Sequence, residues 1–146
     1  MWLLQYNPAH EQPGDRWPIR RYRDRIQAGD EVAIWSSGPD GGVVGFGQVK
    51  SAHGPANSVL IEKVRAFPAI RRDVLKEDPR FAKALILRMS GGGNPFPLDA
   101  DQWQAIVDRA PAELHLVGKT VLGAAALAAA GATAIREAVR SVTRPR

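Results

Sequence analysis

Apolar residues along this chain recur at two alternating periods, and each change of period marks an element. Residues 1–6 (MWLLQY) form a short apolar run closed by Asn7-Pro8. A run this short, with Pro8 biasing the preceding residue away from helix, predicts a buried strand. A polar loop follows to Arg16. Pro18 suits the first turn of a helix, and Ile19, Tyr22 and Ile26 then recur every three to four positions, so residues 18–28 read as a short amphipathic helix stopped by Gly29. Residues 31–36 (EVAIWS) alternate as a strand, Pro39-Asp40-Gly41-Gly42 is a turn signal, and residues 43–51 return as a second strand, completing a hairpin. Gly45 and Gly47 fall on one face of that return strand, leaving room for a backbone, a ring or a ligand.

Further on, residues 58–64 read as a strand that breaks near Pro68, residues 70–77 as a short helix, and residues 84–89 (ALILRM) as a last apolar strand. The glycine-rich run 91–93 follows, then Asn94-Pro95. Asp99 is placed to cap a helix over residues 100–108, with Trp103, Ile106 and Val107 on its inner face. Five strands, mostly adjacent in sequence, and two or three short helices predict an α+β domain closed as a small mixed β-barrel.

With 146 residues the chain has length for one domain and a short appendage, and 45% apolar with 24% charged residues excludes global disorder. The boundary falls near residue 111. Beyond it, residues 120–135 carry no charge and are mostly Ala and Gly, too short and too weakly apolar for a bilayer. That composition predicts a C-terminal helix, residues 112–146, that docks on the barrel or on a second copy as a homodimer.

Chemistry is more narrowly bounded. The absence of cysteine removes disulfides and thiolate sites and fits a cytoplasmic location, and nothing at the start of the chain reads as a leader. Three scattered histidines form no metal-binding or nucleophilic arrangement, and no phosphate-binding glycine fingerprint occurs, so neither a metal nor a cofactor is expected. Lys50 with Glu11, Asp15 or Asp24 is the one acid and base pairing open to a catalytic reading. Net charge is +5, and 15 of the 20 cations are Arg. Arg forks onto phosphate and stacks on bases, so nucleic acid, DNA or RNA, is the expected partner. Arg20 and Arg21, beside Trp17, are the first candidates for backbone phosphate. The competing reading is a solvated helix face for those arginines, with Trp2 and Trp103 simply core.

The ordered segments GDEVAIWSSG, GGVVGFGQV, EDPRFAKALILRMSGGGNPFPL and DQWQAI resemble the EVE domain of the PUA superfamily, a relative of the YTH readers, over about residues 1–108. The resemblance implies a PUA-like barrel of five to six strands that holds one flipped, often modified, base in an aromatic surface pocket. It places Trp17 as a cage tryptophan, Asn7 at the base edge, and Trp35, Ser36, Ser37 and Gly38 at the strand end lining the pocket. Arg88 and the loop through Gly92 to Asn94 then meet the phosphate backbone. Where most such domains carry an aromatic or Asn-rich segment, this chain has Arg20-Arg21-Tyr22-Arg23, so the identity of the base does not carry over. Some PUA-like relatives of the ASCH type act on small amides or modified nucleosides, which keeps a hydrolase as the alternative. A third reading is an interaction protein working through its C-terminal helix.

Overall fold

The computed structural model describes residues 1–10, 14–89, 91 and 93–114. The chain divides into two units, Met1–Ala110 and Pro111–Arg146. In the second, Leu114 N–H donates to the Pro111 carbonyl at 2.8 Å, and the predicted Ala-rich helix lies outside the described residues.

The first unit is α+β: one mixed six-stranded sheet, curled into a half-barrel, with a few short helices. Its strands are β1 (Trp2–Tyr6), β2 (Arg16–Pro18), β3 (Glu31–Ser36), β4 (Gly42–Gly54), β5 (Ser58–Arg71) and β6 (Phe96–Pro97), in the order β2-β5-β4-β3-β1-β6. Only β1 and β3 run parallel, with Trp2 opposite Val32 and Tyr6 opposite Ser36. The predicted hairpin is β3 with β4, antiparallel from Glu31↔Gln48 to Ser36↔Gly42.

Alternation along the central strands builds a core on each face of the sheet. Leu3, Ala33, Trp35 and Phe46 point one way, onto Phe81, Ile86, Trp103 and Ile106. Trp2, Leu4, Val32 and Ile34 point the other way, against Trp17, Ile19, Val49 and Ile61. The bend comes from β4 and β5, 13 and 14 residues long, whose pairing shifts register four times. Each bulge adds local twist. Gly45 allows one of these close approaches, since a Cβ there would stand 2.9 Å from the Arg65 carbonyl.

Three helices cover one side: α1 (Arg72–Glu77), α2 (Leu85–Arg88) and α3 (Ala100–Val107). Helix α3 begins as its sequence predicts, with Asp99 accepting from Gln102 N–H at 2.8 Å and Gln102 accepting from Asp99 N–H at 3.1 Å. No helix among the described residues is long and apolar enough to cross a membrane.

Three predicted elements are corrected. Residues 18–28 form no helix: Pro18 ends β2, Ile19 and Arg20 donate to the Asn57 and Asn94 carbonyls, and Tyr22 has φ +57°. A residue at positive φ cannot propagate a right-handed helix, so a single turn survives, from Ile26 N–H to Tyr22. The periodic Ile19 and Ile26 still reach the core. Residues 84–89 are not a strand but helix α2, closed by Met89 N–H donating to the Leu85 carbonyl. A short apolar run carries no period that separates the two states. The strand expected to break near Pro68 instead continues to Arg71, because β2 covers β5 only at Ser58–Leu60 and a free edge tolerates proline.

Glu31, 7% exposed at the start of β3, has its carboxyl pushed up to about 7 by burial, a shift that Lys63 and the amino terminus partly oppose. The fold binds a proton at Glu31 that the unfolded chain has released, so stability falls as pH rises from about 4.5 to 7 and stays lowered above that. Glu31→Gln is expected to remove that slope and to raise stability above pH 7 by on the order of 2 kcal/mol after allowing for screening. Urea melts from pH 4 to 8 check it, and parallel pH profiles for both proteins would reject it.

Candidate nucleic-acid interface

Two cavities lie at the carboxyl ends of β1 and β3, and successive residues line them in turn. Tyr6 and Ile34 line one; Gln5, Asn7 and Trp35 line the other. The strand pleat places neighbours on opposite faces.

The first cavity, about 260 Å³, is walled by Tyr6, Trp17, Ile34, Val44, Gly45 and Phe67, with Asp15 and the exposed Val64 also lining it. Trp17 is held by β2, where it pairs with Val59 on β5, and the exposed-buried-exposed pattern of Arg16, Trp17 and Pro18 turns its ring inward. It is 5% exposed and meets Tyr6 edge-on, centroids 6.1 Å apart. Its indole Nε1 is buried, with no hydrogen-bond partner among the described residues. An unpaired buried donor costs about 1–3 kcal/mol. Trp2 offers the contrast, its Nε1 donating to Asp30 at 2.9 Å.

The second cavity is polar, about 450 Å³, lined by Asn7, Trp35, Ser37, Gly38 and Arg72 among others. A shallower hollow of about 410 Å³, which Ser36 also lines, adjoins it through Asn7, Ser37, Gly38 and Pro39. Ser37 is anchored twice on the Tyr6 carbonyl, by its N–H at 2.9 Å and its hydroxyl at 3.1 Å. Asn7 Oδ1 accepts from Ala9 N–H. Trp35, 3% exposed, stacks on Phe81 with planes 7° apart, so it offers the cleft little of its surface.

The residues expected in one pocket are therefore divided. Asn7, Trp35, Ser37 and Gly38 come together, and Ser36 borders the adjoining hollow; Trp17 is in the other cavity. Tyr6 and Phe67 were not among the candidates. Tyr6 sits in the same strand run as Leu3 and Leu4, and Phe67 precedes the proline that suggested an end of strand.

The basic candidates also differ among themselves. Arg21 Nη2 donates to the Gly93 carbonyl at 3.0 Å, its guanidinium lies 5.6 Å from the Phe96 ring, and its Nε is buried. Asn94 accepts from Gln5 N–H at 2.7 Å and donates to the Gln5 carbonyl at 2.9 Å, so its amide mimics one more peptide beside β1. Both fasten the glycine loop to the fold. Arg20 and Arg88 are exposed, and Gly92 lies outside the described residues. Arg25, half stacked on Trp2 and Tyr22 at 5.8 and 5.3 Å, is an aromatic cover rather than a helix-face cation. Lys50 is exposed on β4 and Glu11 lies outside the described residues. Among the described residues no three His, Asp or Glu side chains converge on a metal site.

No protein-family model matches the chain, and no curated protein matches it significantly. Solved structures do. A crystal structure of a protein from Pseudomonas putida aligns with a TM-score of 0.58 at 19% identity, over 73% of this chain and 97% of that one. A hypothetical protein from Leishmania major aligns at 0.55 and 17% identity, over 73% and 91% of the two chains. A Pseudomonas syringae protein aligns at 0.51 and 21% identity, over 73% and 97%. Likenesses at these identities establish a shared fold.

Proposed function

We propose that this protein is a non-catalytic nucleic-acid reader of the EVE type, in the PUA-like superfamily, that holds one flipped, methylated base in the cavity of Tyr6, Trp17 and Phe67. The observation that carries this reading is a cavity lined by three aromatic side chains, Tyr6, Trp17 and Phe67. At about 260 Å³ the cavity lies just under the 300–1,000 Å³ usual for drug-sized ligands, a size for one ring system rather than a dinucleotide. Flipping a base costs a few kcal/mol, and stacking on aromatic side chains returns about 1–3 kcal/mol.

The resemblance of residues 1–108 to EVE domains supports a base reader, although of the residues it implies at the base only Trp17 lines this cavity, and the net charge of +5 supports a polyanionic partner. Exposed Arg20, Arg23 and Arg88 are the cations left to meet phosphate, since Arg21 is committed to Gly93.

A methyl group buried in such a cavity contributes about 0.8 kcal/mol, roughly fourfold in affinity. Titration at fixed salt of DNA and RNA oligonucleotides, each plain or carrying one methylated base, is expected to show at least that preference for one modified base. Equal affinity across the panel, or none, rejects the proposal; the polymer that binds identifies the natural partner class.

A further inference from the structure

The aromatic cavity has a charge of the sign that the rest of the chain would not suggest. The protein carries a net charge of +5, yet among the described residues lining this cavity the single charged side chain is Asp15. Its backbone is fixed on β5: the Asp15 carbonyl accepts from Ile61 N–H at 2.8 Å, and two residues on Trp17 pairs with Val59. Asp15 is exposed whereas Trp17 is buried, so the carboxylate stands at the mouth and the indole within. That carboxylate has no hydrogen-bond or ion-pair partner among the described residues. The adjacent cation is turned elsewhere, since Arg16 Nη1 lies 2.9 Å from where a Cβ on Gly54 would stand, at the far end of β4.

Rings and carboxylate act on a ligand's charge in the same sense. Tyr6 and Trp17 stand at 79° with centroids 6.1 Å apart, so they meet as two walls of a corner and do not sandwich a flat ligand between parallel faces. Phe67 adds a third ring. An aromatic face is electron-rich and attracts a cation held within about 6 Å of its centroid, most strongly where water is excluded. A carboxylate at the mouth adds to that attraction. A neutral methylated base gains contact area here and uses Asp15 only as a hydrogen-bond acceptor. Methylation of a ring nitrogen, as in 3-methylcytosine or 1-methyladenine, leaves the base positively charged, and such a base draws on the rings and the carboxylate together. Their isomers 5-methylcytosine and N6-methyladenine contain the same methyl group and stay neutral, so buried area hardly separates the members of either pair and charge does.

We propose that this cavity selects a methylated base that carries a positive charge, and that Asp15 is the residue making the selection. That the ligand is a base rests on the reading above; the preference for a cation rests on Asp15 and the three rings. Arg20, Arg23 and Arg88, the cations assigned to phosphate, do not line the cavity. The negative charge of the polymer and the positive charge of the base are thus met in separate places.

The test compares isomers on single strands, where no base pair has to be broken. Oligonucleotides carrying one 3-methylcytosine or one 5-methylcytosine, and the two free nucleosides, are titrated into the full chain at fixed salt, followed by calorimetry and by NMR shifts of the Tyr6 and Trp17 amides. The 3-methylcytosine strand is expected to bind about tenfold or more tighter than its isomer. Asp15→Asn keeps the shape and an acceptor, so it should leave the 5-methylcytosine strand unaffected and bring the two strands within about threefold of each other. Asp15 is exposed, so the variant is expected to fold, and an unchanged melting curve confirms that it does. Equal or weaker binding of the 3-methyl isomer, or a preference that survives Asp15→Asn, overturns the inference and leaves the base reader standing. If no strand binds, yet 3-methylcytidine moves the Tyr6 and Trp17 amides more than 5-methylcytidine and does so only with Asp15 present, the charge selection stands and the nucleic-acid reading fails. No response to strands or nucleosides rejects both.

Discussion

Trp17→Phe is expected to cost binding far more than it costs the fold. The substitution keeps an aromatic ring in the cavity and deletes a buried donor that has no hydrogen-bond partner among the described residues. In the free protein that donor is a liability of about 1–3 kcal/mol. Removing it offsets part of the packing lost with the smaller ring, so the melting temperature should move little. In the proposed complex the indole stacks on the base, and the smaller phenyl ring should weaken the preferred modified oligonucleotide by about 5-fold or more. Thermal melts and titrations on the same preparation measure both quantities. A variant that binds as the wild type does would show that the indole meets no base, and a fall in stability matching the fall in affinity would reduce Trp17 to a packing residue.

Asp78→Ala is expected to have the largest effect on stability. Asp78 is 6% exposed, and its carboxylate accepts from Arg80 N–H at 2.9 Å, from the Arg80 guanidinium at 2.9 and 3.2 Å, and from Arg109 at 2.6 Å. Arg80 also reaches Asp108 at 2.8 Å, and Arg109 the Ala105 carbonyl at 3.1 Å. The cluster thereby ties the turn after α1 to the end of α3. Truncation takes the shared carboxylate from two half-buried guanidinium groups at once, leaving Arg80 to Asp108 and Arg109 to the Ala105 carbonyl, and removing one partner of such a pair is costlier than never having had it. A fall in melting temperature on the order of 10 °C is expected. The hydrogen bonds from Arg80, with Arg109 assisting, hold the Asp78 carboxyl far below the usual carboxylate range. Its contribution is therefore complete above about pH 4 and is lost as pH falls toward its own titration. Asp78→Asn retains an acceptor and the shape, so it should sit between wild type and Ala, with a shallower acid limb. Identical acid unfolding in wild type and Asn variant would show that the charge contributes nothing.

Local rules carried the sequence reading where an element is decided locally. The run from Trp2, the β3 and β4 hairpin and the Asp99 cap each rest on a few contiguous residues, and each is present. Residues 18–28 failed because their backbone partners, Asn57 and Asn94, are distant in sequence. Helix α2 failed because ALILRM fits either period. The candidate site was legible as a set of residues but not as a place. Asn7, Trp35 and Ser37 became candidates through the resemblance to EVE domains, but which of two cavities each would line depends on strand parity and on where β2 docks against Val59. Arg21 illustrates the same limit: an exposed-looking cation in sequence, it is bound to a loop more than 70 positions away.

The parity of β1 has a consequence for how this surface can change over time. Gln5, Tyr6 and Asn7 serve the polar cleft, the aromatic cavity and the polar cleft again. A one-residue insertion or deletion in β1 would exchange the two linings simultaneously, delivering an amide to the aromatic chamber and a phenol to the polar one. Ligand preference in either chamber is thus open to point substitution, whereas length variation in β1 is closed off, and any lineage that altered one chamber by that route would have had to surrender both.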